Sequence, residues 1–436
     1  VHSKCMCNQF VGIHNRVLGW VPKPTARAIE DCERIVNKLV RGMKKAVRIE
    51  YEDVFRNYTG RKLTKYKRAA ESLRNMPLQR KDAHLSTFIK VEKTDFHAKD
   101  NPDPRMIQFR NARYTLELLT YLRPMEHQLY NIRGSPEGGL LPPSRCIAKG
   151  LNHVQRAQLL REKLSRFRNP VVVSLDCSRW DKHVSIDMLN RVEHLFYRKL
   201  NSDPYLAKLL RFQLRSYGYS NEGLKYFVEG RRCSGDANTA LGNCLLMLTY
   251  VIRSMERARV KKWDCLDDGD DCLLIVEAED ESRLERLPAF FLEVGHELKL
   301  ENRATELEQV LFCQGRPCNT KSGWKFTRNP WSVLNKGLTN VRFFHDMKAL
   351  RKALTAIGLC ELAVHSGVPI LQSFAQCLIR NGDSKPMNLD TWEYQQALKY
   401  AGAWEKVRAE PVTQGARDSF HKAWGLDSSA QVEIER

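Results

Sequence analysis

The sequence predicts an α+β fold, and three segments indicate it. Residues 170–175 are mostly β-branched and apolar, which is typical of a short buried strand. Residues 239–253 carry apolar side chains at helical spacing and follow a Ser-Gly turn. Residues 263–277 have the pattern of a strand, a tight Asp-Gly-Asp turn and a second strand. Together they predict a mixed fold that includes an antiparallel hairpin.

The remaining segments are assigned in chain order. Residues 41–81 are the most charge-biased, with 13 basic and 4 acidic side chains. Residues 134–144 are rich in Gly, Pro and Ser and predict an irregular loop or a boundary between lobes. Residues 185–215 have helical spacing. The chain after residue 315 is expected to be mostly helical, and residues 425–436 are expected to be a frayed tail.

Composition limits the class of protein. The chain has 436 residues, of which 42% are hydrophobic, so it is expected to bury a large core in two to four lobes and not to be disordered. Its formal net charge is +20, which favours a polyanionic partner, either nucleic acid or an anionic membrane face. A soluble protein with excess lysine is the alternative.

Cysteine use and the chain ends add further expectations. The 13 cysteines include no Cys-x-x-Cys pair, so reduced thiols in a cytosolic compartment are expected. No secretory signal is recognisable, and the apolar run at residues 241–252 is too short to span a bilayer. Because the chain begins at Val1 without Met, it is expected to be a fragment or a processed product.

A dense basic run lies within residues 61–68, where five cations surround Tyr66. Such a run is often only a solvated helix face. The functional interpretation is a surface that follows phosphates, with the tyrosine available for stacking on a base.

Acidic residues recur at places where strands end. Asp176 follows the predicted strand, Asp181 comes five residues later, and Asp270 and Asp271 lie in the predicted hairpin turn. Carboxylates that converge at one sheet edge raise each other's pKa unless cations neutralise them. Hard oxygen ligands suit Mg²⁺ or Mn²⁺, and two such ions can clamp a phosphoryl transfer. Taken singly, an aspartate in such a position is more often a turn residue or a helix cap than a metal ligand.

The residue patterns of these segments, and the order in which they follow one another, resemble those of a known family. Residues 175–185 contain Asp-x4-Asp, residues 233–243 contain Ser-Gly-x3-Thr-x3-Asn, and residues 269–271 are Gly-Asp-Asp. They resemble motifs A, B and C of viral RNA-dependent RNA polymerases. Motifs D, E, F and G are matched by residues 296–299, 311–315, 88–93 with 104–114, and 58–62.

The spelling is most similar to the polymerases of the tombusvirus and carmovirus group of positive-strand RNA viruses. The string from Ser234 to Asn243 and the Phe-Cys-Gln tripeptide at residues 312–314 are the most telling parts. One departure is the acidic pair Asp267 and Asp268 ahead of Gly269, where relatives usually carry less negative charge.

The resemblance implies a right-hand polymerase with an antiparallel palm sheet flanked by helices. Fingers are expected at residues 1–170, with motifs G and F, and at an insertion of residues 190–232. The palm is expected at residues 171–189 and 233–315, and a helical thumb with a C-terminal tail at residues 316–436. The implied function is template-directed RNA synthesis from NTPs with release of pyrophosphate, for replication of a viral genome.

The resemblance also implies roles for individual residues. Asp176 and Asp270 are the expected ligands of two Mg²⁺ ions, which Mn²⁺ can replace, and Asp271 assists. Lys299 is expected to be the acid that protonates pyrophosphate. Asp181 and Asn243 are expected to meet the ribose 2′-OH. The other expected substrate residues are Ser234, Gly235 and Thr239, which order this pair, and Arg105, Arg110 and Arg113, which line the NTP path. The expected RNA-binding residues are Arg61, Lys62, Lys65, Lys90 and Lys93.

Partners and location follow from the same resemblance. The expected partners are template RNA, nascent RNA, NTPs and a viral auxiliary replication protein. The expected location is the host cytoplasm, in a replication complex on host membranes that is anchored through a region outside this chain. Three rivals remain open: a reverse transcriptase, a non-enzymatic RNA-binding or capsid protein, and a Mg²⁺-dependent nuclease.

Overall fold

The computed structural model of the chain describes residues 2–93, 102–337, 339, 345–389 and 391–436. Within them the chain forms two compact units, one of residues 1–149 and 175–301 and the other of residues 150–174 and 302–436. The predicted finger, palm and thumb boundaries have other limits and stay a prediction.

The helices are α1 (Met6–Ile13), α2 (Ala26–Leu39), α3 (Tyr51–Phe55), α4 (Gly60–Asn75), α5 (Ala112–Tyr130), α6 (His153–Leu164), α7 (Trp180–His183), α8 (His194–Leu200), α9 (Pro204–Leu214), α10 (Thr239–Ala258), α11 (Leu287–Glu293), α12 (Pro330–Gly337), α13 (Met347–His365), α14 (Leu371–Arg380), α15 (Trp392–Ala401), α16 (Gln414–Trp424) and α17 (Ser428–Glu435). The strands are β1 (Leu85–Ile89), β2 (Met106–Phe109), β3 (Pro170–Cys177), β4 (Arg215–Ser220), β5 (Lys225–Glu229), β6 (Trp263–Asp267), β7 (Asp271–Glu277), β8 (Leu298–Ala304), β9 (Gly315–Thr320) and β10 (Gly323–Arg328). The fold is therefore mixed, as the sequence predicts.

The strands form sheets in the orders β2-β1-β4-β5, β6-β7-β3-β8 and β10-β9. The β6–β7, β4–β5, β1–β2 and β9–β10 pairs are antiparallel, and β1 pairs with β4 in parallel. The strand predicted at residues 170–175 and the hairpin predicted at residues 263–277 are confirmed as β3 and as β6 with β7.

Helix α10 is the most buried helix of the first unit. Nearly every side chain from Leu241 to Met255 is buried, because Leu, Met, Val and Ile recur on all faces of this segment. The helix ends at Ala258, and the next residue, Arg259, caps it in a left-handed conformation with φ of 57°. The predicted helix at residues 239–253 is thereby confirmed. Its first turns carry Thr239 and Asn243 towards the candidate site.

The predicted helical region at residues 185–215 is also confirmed. It comprises a π-helical segment, Met188–Glu193, followed by α8 and α9. Pro204 begins α9, and Asp203 caps it by accepting a hydrogen bond from the Tyr205 N–H. The π-helical segment matters for the site because its last residue, Glu193, is fully buried.

The second unit confirms one prediction and contradicts another. The chain after residue 315 is mostly helical, as predicted, but it begins with the β9–β10 hairpin, which Gly323 turns with φ of 108°. The last residues are not frayed but form α17, which Asp427 caps through the Ala430 N–H. Arg417 of α16 pairs with Glu435 at 2.8 Å and holds α17 in place.

The second unit has its own apolar core. It combines the hairpin with α12, α14 and α16, and its buried members are Cys318, Val333, Val368, Ile370, Leu371, Phe374, Leu378 and Phe420. Among the described residues, no helix combines the length and the apolar character needed to cross a bilayer.

Candidate active site

Strand β3 brings the first aspartate to the site. Residues 171–175 are buried and anchor the strand, while Asp176 is half-buried near its end. Burial raises the pKa of the adjacent Cys177 thiol well above its ordinary value, and the charges of Asp176 and Asp270 raise it further. Carboxylates from β3 and from the β6–β7 turn therefore act on the same point.

The β6–β7 turn holds the second and third aspartates. The Asp268 N–H donates to the Asp271 carbonyl at 2.9 Å, and this bond closes a tight turn through Gly269 and Asp270. Gly269 has φ of 106°, which a residue with a side chain rarely adopts, and a Cβ there would lie 3.4 Å from Cβ of Asn243. Asp270 and Asp271 reach the surface at the tip of this turn.

The two aspartates ahead of Gly269 are held by the protein itself. Asp267 is fully buried, and its Oδ1 accepts the Gly269 N–H at 2.6 Å. Lys149 pairs with Asp268 at 2.9 Å, because the chain at Ile147 runs beside Asp267 as a parallel bridge. The cation offsets part of the negative charge that Asp267 and Asp268 bring to this turn.

The carboxylates of β3 and of the β6–β7 turn affect one another's pKa. Desolvation raises the pKa of Asp271 to about 6, and the charges of Asp270, Asp268 and Asp176 add to the effect. Within the described parts of the chain, no three His, Cys, Asp or Glu side chains form a ready metal-binding cluster. The aspartates are thus near enough to repel one another without being gathered into a preformed cage.

Asn243 and Asp181 act on each other electrostatically, and their meeting at a ribose stays a prediction. Burial raises the pKa of Asp181 to about 6 and Asp270 adds to the rise, while the charge of Arg232 and the polar side chain of Asn243 oppose it. Asp181 lies in the first turn of α7, which Trp180 anchors by packing against His296 with ring centroids 4.4 Å apart.

A buried ion pair lies beside Asn243. The Nε of Arg232 donates to Oδ1 of Asn243 at 2.8 Å, and the rest of its guanidinium pairs with Glu193. Arg232 and Glu193 are 1% and 0% exposed at their side chains, so each is neutralised only by the protein. Tyr197 and Asn238 satisfy the remaining acceptor sites on Oε1 of Glu193.

The arginine also fixes which way the Asn243 amide points. Since Oδ1 of Asn243 accepts from Arg232, its NH₂ group is the part that can donate to the Asp181 carboxylate. Motif A and motif B are thereby joined through a defined amide orientation.

The motif B loop packs against β2. The Ser234 hydroxyl accepts the Gln108 N–H at 3.3 Å, and the Gly235 N–H donates to the Gln108 carbonyl at 2.7 Å. A Cβ at Gly235 would lie 2.6 Å from Cβ of Phe109, so only glycine allows this approach. The Thr239 hydroxyl closes the loop by donating to the Cys233 carbonyl at 2.8 Å. Ser234 and Thr239 therefore order the loop.

Two of the arginines assigned to the NTP path lie elsewhere. Arg110 is 2% exposed and pairs with Asp236 at 2.8 Å, which ties the end of β2 to the motif B loop. Arg113 is buried and pairs with Asp82 at 3.3 Å. Both guanidiniums are occupied by protein partners, which differs from the expectation that they face the substrate.

Arg105 differs from these two. It is exposed, pairs with Glu92 at 3.3 Å, and lowers the pKa of Asp181 through its charge. Glu92 also pairs with Lys90 at 3.1 Å, so one carboxylate holds two of the predicted cations. Lys93 is half-buried next to residues 94–101, which lie outside the described residues.

The other predicted basic residues are at the surface. Arg61, Lys62 and Lys65 are exposed on α4. Lys62 places its Nζ 4.2 Å from the centroid of the Tyr58 ring, a cation–π contact. Lys299 is exposed on β8. Their RNA-binding and acid roles stay predictions.

Comparison with known proteins shows which family the chain belongs to. The family model described as viral RNA dependent RNA polymerase matches residues 2–436. The chain belongs to this family. The resemblance drawn from motifs A to G is therefore confirmed.

Individual relatives give the same result. The RNA-directed RNA polymerase of Turnip crinkle virus is 34% identical over 100% of this chain and 57% of its own length. Those of Cucumber necrosis virus and Tomato bushy stunt virus (strain Cherry) are 35% and 34% identical over 100% of this chain and 53% of theirs. The chain thus spans little more than half the length of these relatives.

Three residues of this family member's site escaped the sequence analysis. Arg232 directly precedes Cys233, the first residue of motif B, and this position is its one signal in the sequence. Glu193 and Lys149 lie outside every motif, and nothing in the pattern around them singles them out. The fold alone brings Glu193 to Arg232 and Lys149 to Asp268.

Proposed function

We propose that the chain is the polymerase region of a viral replicase and carries out template-directed RNA synthesis, joining ribonucleotides and releasing pyrophosphate. The observation that supports it most is the meeting of three motifs at one place. The side chain of Asn243 in motif B and the charge of Asp270 in motif C both act on the pKa of Asp181 in motif A. A right-hand arrangement of fingers, palm and thumb is part of the proposal.

Asp176, Asp270 and Asp271 are the residues that would hold divalent cations. Carboxylate oxygens suit Mg²⁺ and Mn²⁺. Desolvation raises the pKa of Asp271, repulsion by the neighbouring aspartates adds to the rise, and bound cations would relieve that repulsion. When bound, two ions supply activation of the RNA 3′-hydroxyl and charge neutralisation on the departing pyrophosphate. The protein contributes the placement of these carboxylates on β3 and on the β6–β7 turn.

Asp181 and Asn243 would select ribonucleotides. A carboxylate acceptor beside an amide donor matches a 2′-OH, which both donates and accepts a hydrogen bond. Arg232 keeps the amide oxygen of Asn243 turned away, so that its NH₂ group faces Asp181. Arg232 and Glu193 are thus positioning residues in this proposal.

The triphosphate would be met by Arg105, the exposed arginine whose charge already acts on Asp181. Lys299 would donate the proton to the leaving pyrophosphate. Arg110 acts instead by holding the motif B loop on β2.

We also propose the setting in which this chemistry works. Template and nascent RNA and the four NTPs are the partners of the region itself. An auxiliary replication protein, and attachment to host membranes in the cytoplasm, would act through regions beyond the span that this chain shares with its relatives.

Copying of a homopolymeric RNA tests the proposal. On an oligocytidylate template with Mg²⁺, GTP should be the one nucleotide incorporated, and a template of another base should switch the choice to its complement. Incorporation of all four NTPs without regard to template would contradict template direction. Preference for dNTPs would favour a reverse transcriptase, and shortening of the template would favour a nuclease.

A further inference from the structure

The sheet β2-β1-β4-β5 has one face packed in the core. Its buried residues pack against α1 and the turn that follows it, with Leu85, Ile89 and Val228 among them. The Tyr226 hydroxyl lies on the same face and bonds to Thr87 at 2.6 Å. The side chains between these positions must point away from the core, because neighbours along a strand alternate.

The outward face carries aromatic rings where polar side chains are the norm. Tyr217, Tyr219 and Phe227 are 48%, 41% and 44% exposed. Tyr217 and Phe227 are paired across β4 and β5, with ring centroids 5.2 Å apart. The His84 ring lies 5.8 Å from Tyr217 and 5.7 Å from Tyr219. An antiparallel sheet with one solvated face usually presents polar residues there.

The register extends this surface across all four strands. Phe109 of β2 is paired with Ser86 of β1, Ser86 with Tyr219 of β4, and Tyr219 with Lys225 of β5. Phe88 contacts Phe109, with centroids 5.8 Å apart. The resulting aromatic platform consists of His84, Phe88, Phe109, Tyr217, Tyr219 and Phe227.

Cations surround the platform. Lys65, on the basic helix α4, has its Nζ 5.8 Å from the Phe109 ring centroid. Lys225 and Arg215 are exposed on the platform face itself, and Arg80 and Lys81 are exposed just before His84. On the outward face of the strands themselves, Arg215 pairs with Glu229 at 2.5 Å and Lys225 adds a further positive charge, while the exposed Glu222 lies in the turn between β4 and β5.

We infer that the aromatic platform binds single-stranded RNA by stacking on its bases, with the surrounding cations on its phosphates. Every base has a flat face, so stacking on exposed rings tolerates any sequence, as a polymerase requires of a template. The flanking positive charge matches a polyanion better than a second copy of this basic chain or an apolar protein partner. The inference rests on the proposed function, since it names a further contact for the RNA that the aspartate site would copy.

Equilibrium binding of a short labelled single-stranded RNA tests the platform without any NTP. Tyr219→Ala should weaken binding about tenfold, and Tyr219→Phe should stay within about twofold of the wild type, because the ring and not the hydroxyl stacks. Trp20→Ala is the matched control, since Trp20 is a 79% exposed aromatic residue of the same unit outside the platform. An RNA of equal length with abasic sugars should bind the wild type and Tyr219→Ala equally.

The outcomes separate this inference from the proposed function. The platform is supported if Tyr219→Ala weakens binding of the normal RNA but not of the abasic RNA, and raises the KM for template while kcat is unchanged. Unchanged binding in Tyr219→Ala and in Tyr217→Ala/Phe227→Ala overturns it, even if the wild type copies RNA. The inference is also overturned if Tyr219→Ala changes the sedimentation coefficient of the protein relative to the wild type without changing its RNA affinity. The face would then be an interface between two copies of the chain. Failure of the wild type to copy any template, with RNA binding intact, contradicts the proposed function and not the platform.

Discussion

Replacement of Arg232 by lysine tests how the site would select ribose. Lysine keeps the positive charge opposite Glu193, so the buried carboxylate remains compensated. The ammonium is a point charge and cannot pair with Glu193 and also reproduce the Nε donor to Asn243. The Asn243 amide then loses the contact that fixes its orientation towards Asp181.

The magnitude follows from the bond that is lost. A hydrogen bond from a charged donor contributes about 1.5–3 kcal/mol to the arrangement it holds. The lysine ammonium and water recover part of this, so about 1.4 kcal/mol, equivalent to about tenfold, should be lost from discrimination between rNTP and dNTP. The rate with the correct NTP should fall less, because Asp176, Asp270 and Asp271 are untouched.

The assay compares kcat/KM for an rNTP and its 2′-deoxy analogue on one RNA template. Arg231→Lys is the matched control, since Arg231 bonds to the backbone carbonyls of Val17 and Gly19 and not to Asn243. Its selectivity should equal that of the wild type. Unchanged discrimination in a folded Arg232→Lys protein, or an equal loss in Arg231→Lys, would refute the positioning role.

Three further outcomes are expected. His296 is fully buried, and burial lowers its pKa to about 3. Between about pH 6.5 and pH 3 the unfolded chain therefore binds one proton more than the folded chain does. The free energy of unfolding should fall as the pH falls through that window. His296→Phe should therefore reduce the dependence of unfolding free energy on pH by about 1.4 kcal/mol per unit in denaturant titrations at pH 4–6, and an unchanged slope would contradict the burial. Arg110→Met should lower the unfolding free energy by about 3–5 kcal/mol, because Asp236 is left buried and unpaired. The double variant Arg110→Met/Asp236→Asn should recover part of that loss. If the losses of the two single variants simply add in the double variant, the two residues are not coupled. Lys149→Met should lower the half-saturating Mg²⁺ concentration for RNA synthesis several-fold, because it removes the cation that neutralises Asp268. A higher half-saturating Mg²⁺ concentration would contradict the neutralisation of Asp268 by Lys149.

The sequence was sufficient where short contiguous segments carry the pattern of a motif, a strand or a turn. Asp176, Asp181, Asn243 and Asp270 stand in motifs with fixed spacing, and β3 and the β6–β7 hairpin have clear strand and turn patterns. The fold adds the hydrogen bond by which Arg232 orients the Asn243 amide.

Other parts depend on contacts between distant residues. Glu193 and Arg232 are 39 positions apart, and neither the length of that separation nor the residues between them mark a buried pair. The same is true of Lys149, which reaches Asp268 only because the chain at Ile147 runs beside β6.

The alternation of β2 explains the misplaced arginine. Met106, Gln108 and Arg110 are buried on one face, and Arg105, Ile107 and Phe109 have the opposite parity. The period of two along a strand would have separated Arg110 from Arg105, had the short strand been recognised. The missed β9–β10 hairpin had only Gly323 as a turn signal, and the last helix only Asp427 as a cap.

Incorporation of labelled NTP on a short RNA template with Mg²⁺ tests the central claim most directly. The comparison is between the wild type, Asp270→Ala, and Glu279→Gln, a control that alters an exposed carboxylate just after β7. Template-length product from the wild type and Glu279→Gln, with none from Asp270→Ala and RNA binding retained in all three, is the expected result. Full synthesis by Asp270→Ala would contradict the assignment of this turn to catalysis.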